Sequence, residues 1–303
     1  MPVTEGTVPH LGHRTWYRIV GTRRPGAKPP LLVVNGGPGC PHDYLDDLAA
    51  LAQETGRALV FYDQLGCGRS DHPDDPALWT LDTFVAELAA VREALGLDPV
   101  HLLGHSWGSQ LALEYAFTRP HGLLSLVLAG PIASAPAYQA ETRRLKETLP
   151  EDVRAVLDRH EAAGTTDDPE YDEATMAFYA RWLCRLDPWP AHVMRAFTNI
   201  SRDVYETLWG GTEWQLTGTL RDWEVTGRLG EIDVPVLLTS GRHDVATPDL
   251  VRPLAEGIPD ATWTLFERSA HLPSAEEPER YRQVVGAFLA DVEARAPTVA
   301  RAA

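Results

Sequence analysis

The segment Gly104-His105-Ser106-Trp107-Gly108 fits the pattern G-x-S-x-G, in which the central serine can act as a nucleophile. An apolar stretch at residues 100–103 precedes it, and residues 110–118 have the composition of a helix. At such a strand–turn–helix junction the serine hydroxyl is exposed on a strained bend, and the glycines allow close approach of the backbone. The pattern therefore predicts a nucleophile at Ser106 rather than a serine that merely caps a helix.

A serine hydroxyl reacts well only when a base removes its proton and a carboxylate orients that base. In proteins with this motif the partners follow in the chain order serine, acid, histidine. Asp244 comes shortly after the apolar stretch 234–238, and His271 lies in the loop after the stretch 262–266. Either residue alone would fit an ordinary turn or loop, but both stand at the required places. We predict a triad of Ser106, Asp244 and His271, and we interpret the other histidines as packing or surface groups.

A glycine-rich loop, Asn35-Gly36-Gly37-Pro38-Gly39, follows the apolar stretch at residues 31–34. Acyl transfer needs backbone N–H groups that stabilise the developing oxyanion, and loss of one such donor costs roughly 10²–10³ in rate. Backbone without side chains can approach a carbonyl oxygen closely. We therefore predict that the N–H groups of Gly37 and Trp107 form the oxyanion hole, in preference to a plain Gly-Pro turn at this loop.

Short apolar stretches alternate with amphipathic segments along the first 130 residues. The stretches predict strands at residues 31–34, 58–62, 100–103 and 124–128, and Thr80 begins a segment with helical spacing that ends near residue 95. Strands that alternate with helices indicate a parallel sheet, which binds ligands beyond the carboxyl ends of its strands. The candidate residues above lie at such ends.

The sequence pattern changes after Pro131. Residues 132–232 are acidic, rich in tryptophan and predicted to be helical; strands return at residues 234–238 and 262–266, before a helix over residues 278–294. We predict an α/β core formed by residues 1–131 and 233–303, with residues 132–232 inserted as a helical cap. The return of strands disfavours a separate second domain.

The composition limits the function further. With 303 residues and a net charge of −16, the chain is expected to be globular and to bind neither nucleic acid nor an anionic membrane. The first residues lack the order of a signal peptide, and no apolar run approaches eighteen residues. Three cysteines without C-x-x-C spacing favour a reducing compartment, so we expect a cytoplasmic protein. No nucleotide or metal motif is visible, so no cofactor and no metal are expected.

Several motifs together resemble those of the prolyl iminopeptidase branch of the α/β-hydrolases, which is related to the tricorn-interacting aminopeptidase. The resemblance runs from about residue 30 to 285 and includes the cap. The matching stretches are NGGPGCPHDYLDDL, FYDQLGCGRSD, GHSWGSQLALEYA, DPEYDEATMAFY, the Trp-Pro of DPWP, EWQLTGTLRDWEVT, GRHDVATP and SAHLPSAEEPE. The resemblance implies an α/β-hydrolase fold with a mostly parallel sheet, flanking helices and an inserted cap.

The same resemblance implies a metal-free serine hydrolase that removes an N-terminal residue, often proline, from short peptides or amino-acid amides. In that family a glutamate at the position of Glu213 binds the free amine of the substrate. Two positions depart from the family: Asn35 stands where the oxyanion loop usually begins with histidine, and Val245 stands where a second amine-binding glutamate is common. Glu224 is an alternative source of that second carboxylate.

Two other functions remain open from the sequence. The same machinery could serve an amidase, an esterase, or an acyl-transferring or cyclising enzyme that acts on a specialised metabolite, and the departures at Asn35 and Val245 favour this reading. A hydrolase-fold binding protein without turnover is disfavoured by the complete Ser-Asp-His set. The expected assembly is a monomer or a small homo-oligomer.

Overall fold

An eight-stranded sheet forms the centre of the protein in the computed structural model, which describes residues 1–24 and 26–295. The strands lie side by side in the order β1-β2-β4-β3-β5-β6-β7-β8. The pairs β1–β2 and β2–β4 are antiparallel, and all the other pairs are parallel. The strands are β1 (Val3–His10), β2 (His13–Val20), β3 (Leu31–Val34), β4 (Leu59–Tyr62), β5 (Val100–His105), β6 (Leu123–Ala129), β7 (Val236–Gly241) and β8 (Ala261–Phe266).

The six parallel strands are those that the apolar stretches predict, with ends that differ by at most three residues. Strands β3, β4 and β5 are buried along their whole length, which explains why they appear as continuous apolar runs. The hairpin β1–β2 was not predicted. Its first strand is largely exposed and contains Gly6 and Pro9, so it carries no apolar signal.

Helices cover both faces of the sheet. The predicted helices correspond to α2, α3 and α11, and Thr80 caps α2 by accepting the Thr83 N–H at 3.1 Å. None of the helices that the structure describes combines the length and the apolarity needed to cross a bilayer. The helices are α1 (Leu51–Thr55), α2 (Leu81–Ala94), α3 (Trp107–Phe117), α4 (Ala135–Lys146), α5 (Glu151–Ala163), α6 (Pro169–Trp182), α7 (Ala191–Thr198), α8 (Arg202–Leu208), α9 (Pro248–Gly257), α10 (Pro273–Glu276) and α11 (Pro278–Arg295).

Helices α4 to α8 occupy the chain between β6 and β7. We call residues 132–232 the cap, a division that stays a prediction. The expectation that this whole region is helical is wrong after Leu208, because residues 209–225 contain no α-helix. Gly210 has φ 126°, and a side chain there would meet the Thr217 nitrogen at 2.7 Å. The chain therefore turns back tightly at this point instead of continuing α8.

The loops after β3, β5, β7 and β8 all leave the same edge of the sheet, because these strands are parallel. These loops carry the glycine-rich segment, Ser106, Asp244 and His271. Residues of the cap line the cavity that opens at this edge. The fold thus places the candidate residues together under the cap.

Candidate active site

Ser106 lies on a sharp turn between β5 and α3, with φ 55° and ψ −122°. The backbone is closely packed at the glycines before and after Ser106. A side chain at Gly104 would lie 2.1 Å from the Gly108 oxygen, and one at Gly108 would lie 2.2 Å from the Val34 oxygen. The two glycines of the motif therefore allow α3 to pack against β5 and β3, which holds Ser106 at the floor of the cavity.

Asp244 and His271 contact each other directly. Asp244 is fully buried, and its Oδ1 lies 2.6 Å from His271 Nδ1. The same oxygen accepts the Ala246 N–H at 2.8 Å, so the carboxylate is held in place by backbone. Since Nδ1 is committed to Asp244, Nε2 is the nitrogen of His271 that remains for a proton from Ser106, which lines the same cavity.

The cap contacts the loops of both residues. The Val245 N–H donates to the Trp182 carbonyl at 2.9 Å, and the His271 N–H donates to the Leu183 carbonyl at 3.0 Å. The end of α6 therefore contacts both the loop that carries Asp244 and the loop that carries His271. A displacement of the cap would move both loops relative to Ser106.

Hydrogen bonds of Gly36 orient the backbone of the glycine-rich loop. The Gly36 N–H donates to the Tyr44 hydroxyl at 2.6 Å, and the Gly36 carbonyl accepts the Cys40 N–H at 3.4 Å. Because the C=O and N–H of a trans peptide point in opposite directions, the Gly37 N–H points away from Cys40. Gly37 lines the cavity with Ser106 and Trp107, whose own N–H belongs to the unpaired first turn of α3.

His105 connects the glycine-rich loop to the loop that carries His271. The Tyr44 hydroxyl, which accepts from Gly36, lies 2.9 Å from His105 Nδ1, and His105 Nε2 lies 2.8 Å from the His271 carbonyl. Burial, together with the nearby His271, lowers the pKa of His105 to about 3. His105 is therefore neutral and acts as a hydrogen-bonded support, not as a competing base.

The cavity above Ser106 has a volume of about 750 Å³. Core residues form its floor, and α4, α6, α7 and α8 of the cap form its walls. The walls are mainly aromatic and apolar: Tyr138, Met176, Tyr179, Trp189, Met194, Phe197, Tyr205 and Trp209.

Glu213 projects into this cavity from the irregular part of the cap. Three tyrosine hydroxyls donate to its carboxylate: Tyr138 at 2.7 Å, Tyr205 at 2.7 Å and Tyr179 at 3.4 Å. Burial and the Glu213 charge raise the pKa of all three hydroxyls well above 10, so they remain neutral donors. The carboxylate is thus oriented without a cation from the described part of the chain.

The backbone that carries Glu213 is fixed by two side chains of α4, and the neighbouring Trp214 side chain is held by a residue of α5. Thr142 Oγ1 donates to the Glu213 carbonyl at 2.9 Å, and Arg143 Nε donates to the Trp214 carbonyl at 2.9 Å. The Trp214 indole donates to Glu161 Oε1 at 2.6 Å. These hydrogen bonds hold Glu213 in place although its segment is not helical.

Comparisons with known proteins place this site in a family. A family profile described as alpha/beta hydrolase fold matches residues 29–278. The crystal structure of VinJ matches with a TM-score of 0.92 at 42% identity, over 95% of this chain and 99% of that one. The crystal structure of a proline iminopeptidase from Mycobacterium smegmatis matches with a TM-score of 0.89 at 40% identity, over 97% and 100%. A proline iminopeptidase from Lactobacillus helveticus (strain DPC 4571) is 41% identical over 284 residues, which are 93% of this chain and 96% of that protein. The chain belongs to the proline iminopeptidase family of α/β-hydrolases.

Membership of the proline iminopeptidase family confirms the resemblance and the fold class that the motifs predict. It also confirms a hydrolase of the aminopeptidase type. The roles of the individual site residues stay predictions.

The two departures from the family have clear structural consequences. The Asn35 side-chain amide donates to the Cys40 carbonyl, so Asn35 stabilises the glycine-rich loop from within. Val245 is buried and gives the cavity an apolar wall beside Asp244. Glu224 does not supply the missing carboxylate, because it lies outside the cavity lining and accepts the Thr226 N–H at 2.8 Å.

Sequence reasoning missed Tyr44 and the three tyrosines around Glu213. Their hydroxyls reach the site from α4, α6, α8 and the segment after β3. Tyr44 and Tyr179 belong to the matching stretches NGGPGCPHDYLDDL and DPEYDEATMAFY, but their partners were not predicted, and nothing in the local sequence marks Tyr138 or Tyr205. Gln64 had a signal, because it belongs to the stretch FYDQLGCGRSD, but its partners were not predicted.

Among residues 1–24 and 26–295, one group of side chains has the reach to hold a metal ion. Ligand atoms of His160, Asp168 and Glu170 lie within 4.8 Å of one another on the cap surface. The Arg159 guanidinium already contacts Glu170 at 2.5 Å and His160 at 3.3 Å, and Asp168 caps α6. These contacts account for the group as a surface ion-pair cluster.

The pH dependence of turnover should report His271. Burial lowers the pKa of this imidazole, but the Asp244 carboxylate, with a further contribution from Glu213, outweighs burial and raises it above 6.5. Because the base must be neutral, kcat/KM should fall with decreasing pH around an apparent pKa above 6.5. The replacement Asp244→Asn should move this acidic limb to lower pH and reduce kcat by roughly 10⁴-fold. Measurement of kcat/KM from pH 5 to 9 checks both expectations, and an acidic limb below 6.5 in the wild type would contradict them.

Proposed function

We propose that this protein is a serine aminopeptidase that releases the N-terminal residue of short peptides or amino-acid amides. One observation carries the proposal: a carboxylate oriented by three neutral hydroxyls shares a cavity with Ser106 and His271. Glu213 has no ion-pair partner within residues 1–24 and 26–295. A substrate ammonium would supply the missing positive charge.

Acylation begins when Ser106 Oγ attacks the carbonyl carbon of the first residue while His271 Nε2 accepts the hydroxyl proton. The Gly37 and Trp107 N–H groups stabilise the oxyanion of the tetrahedral intermediate. As the C–N bond breaks, His271 returns the proton to the leaving amine, and the first residue remains as an ester of Ser106. Asp244 keeps Nδ1 of the imidazole protonated and stabilises the imidazolium.

Deacylation repeats these roles with water. His271 takes a proton from the water molecule, whose oxygen attacks the ester carbonyl, and the oxyanion again lies against the Gly37 and Trp107 N–H groups. Collapse of the intermediate breaks the ester bond and returns the proton to Ser106 Oγ. The free amino acid then leaves the cavity.

Glu213 explains why only the first residue would be removed. If the ammonium is bound at Glu213, the adjacent carbonyl is the one presented to Ser106. An N-acylated substrate has no charge for Glu213 and would leave a partly buried carboxylate unpaired, which disfavours its binding. Specificity for the chain end thus follows from one ion pair.

The cavity as a whole has more room than a prolyl residue alone needs. Val245 places an apolar side chain at the cavity wall, and the volume of about 750 Å³ leaves room for larger residues. We propose that proline is one of several apolar first residues, and that the protein works in the cytoplasm as a monomer or small homo-oligomer. Its three cysteines are free and buried, which fits a reducing compartment.

Product analysis of unlabelled tripeptides tests this proposal. Pro-Gly-Gly, Ala-Gly-Gly and Phe-Gly-Gly would be incubated with the wild type, and Ser106→Ala protein would serve as the blank. We expect release of the first residue and of Gly-Gly, measured by mass spectrometry. Release of an N-terminal dipeptide, or equal rates with the blank, would contradict the proposal.

A second candidate is an amidase, esterase or acyl-transferring enzyme with the same triad and a different acyl group. The apolar Val245 favours it, because Val245 lines the cavity at the position where a second amine-binding glutamate is common in the family. For such an enzyme Glu213→Ala would leave kcat/KM on the true substrate nearly unchanged. A large loss in that variant would favour the aminopeptidase.

A further inference from the structure

The side-chain amide of Gln64 joins the two segments that carry the predicted oxyanion donors. Its Nε2 donates to the Asn35 carbonyl at 2.8 Å, and its Oε1 accepts the Trp107 indole N–H at 2.9 Å. Gln64, Asn35 and Trp107 are all buried, so these hydrogen bonds are shielded from water. One amide therefore spans the gap between the glycine-rich loop and the start of α3.

The bridging position requires one donor and one acceptor at a fixed separation. The Asn35 carbonyl can only accept, and the indole N–H can only donate. An amide satisfies both, whereas an aliphatic side chain satisfies neither and an ionised carboxylate satisfies only the indole. The chemistry of the two partners therefore explains why glutamine stands at position 64.

The peptide group between Asn35 and Gly36 is hydrogen-bonded through both its carbonyl and its N–H. Gln64 binds its carbonyl, and the Tyr44 hydroxyl binds its N–H. Gln64 is itself anchored, because its backbone carbonyl accepts the Cys67 N–H at 3.0 Å. This peptide directly precedes the one that contains the Gly37 N–H, so its orientation sets the direction of that donor.

We propose that Gln64 is a positioning residue that sets the relative placement of the Gly37 and Trp107 N–H groups, an inference that rests on the proposed serine mechanism. It touches no substrate. It acts on the transition state because the oxyanion, unlike the ground-state carbonyl, depends on both donors being correctly placed.

The replacement Gln64→Leu removes both hydrogen bonds without adding a charge. We expect kcat on alanyl p-nitroanilide to fall roughly 10- to 100-fold, since a displaced oxyanion donor should cost less than the roughly 10²–10³ lost when a donor is removed, with KM within about 3-fold of wild type. Affinity for an alanyl boronic acid, whose tetrahedral adduct places an oxygen in the hole, should fall by a similar factor. Affinity for the product alanine should not change.

The replacement Gln64→Glu adds a pH signature that a purely structural role would lack. A neutral carboxyl can donate to the Asn35 carbonyl and accept from the indole, but an ionised one cannot donate. The ratio of variant kcat to wild-type kcat should therefore decrease as pH rises and the introduced carboxyl ionises. The corresponding ratio for Gln64→Leu should be low and independent of pH.

Ser70→Ala is the matched control within the same loop. The Ser70 hydroxyl accepts the Trp16 N–H at 2.8 Å, so its loss disturbs the loop without involving Asn35 or Trp107. We expect Ser70→Ala to lower Tm and to retain wild-type kcat. A folded Gln64→Leu protein with kcat within 2-fold of wild type, or with unchanged boronic acid affinity, would overturn the inference.

The rate of Ser106 labelling by a fluorophosphonate separates this inference from the proposed substrate. Labelling uses the serine, the base and the oxyanion hole but needs no amino-terminal substrate. If the wild type is labelled and cleaves no free-amine substrate, the aminopeptidase proposal fails while the Gln64 comparison still stands. Slower labelling of Gln64→Leu supports the inference, and equal labelling rates overturn it.

Discussion

Ser106→Ala should lower kcat on free-amine p-nitroanilides by about 10⁴–10⁶-fold, the range seen when a triad nucleophile is removed. The reason is that Ser106, which lines the same cavity as His271, is the proposed attacking group, and its removal leaves the acyl-enzyme route without that nucleophile. Alanine keeps the Cβ of serine, so the strained turn at φ 55° should form as before. The loss should therefore appear in turnover and not in folding.

Thermal unfolding and circular dichroism of the alanine variant provide the control for this result. We expect a Tm within a few degrees of wild type and no reaction with a fluorophosphonate. A variant that is folded and still turns over at more than about 1% of the wild-type rate would rule out Ser106 as the nucleophile.

The second large effect is expected at Glu213. Glu213→Gln keeps the size and one acceptor oxygen for the tyrosine hydroxyls, replaces the other oxygen by an amide NH2 that can only donate, and removes the charge that would pair with the substrate ammonium. We expect kcat/KM on alanyl p-nitroanilide to fall roughly 100-fold, equivalent to about 3 kcal/mol. This value lies at the low end for loss of one partner of a buried ion pair, because Glu213 is only partly buried.

Glu224→Gln is the matched control, since Glu224 is a cap carboxylate outside the cavity. Its kcat/KM should stay within 2-fold of wild type. If the two variants lose activity equally, or if Glu213→Gln keeps wild-type kcat/KM, Glu213 does not bind the amine.

The six parallel strands and Ser106 could be predicted from the sequence because their signals are local. A strand buried on both faces reads as an apolar run, as in β3, β4 and β5, and G-x-S-x-G marks its own turn. Asp244 was found by chain order, and the structure places it 2.6 Å from His271.

The structural features that could not be predicted from the sequence depend on contacts between distant segments. Tyr138, Tyr179 and Tyr205 converge on Glu213 only through the packing of α4, α6 and α8. The hairpin β1–β2 is held by pairing of β2 with β4, and its exposed first strand has no apolar pattern. Such features follow from tertiary packing, which a pattern along one chain does not encode.

A matched substrate pair gives the most direct test of the proposed function. We would measure kcat/KM for prolyl and N-acetylprolyl p-nitroanilide, and for the alanyl pair, with Ser106→Ala as the blank. The proposed ion pair at Glu213 predicts that each free-amine substrate is preferred by at least about 100-fold. Equal rates within either pair, or preference for the acetylated compound, would contradict the proposed recognition of the amino terminus.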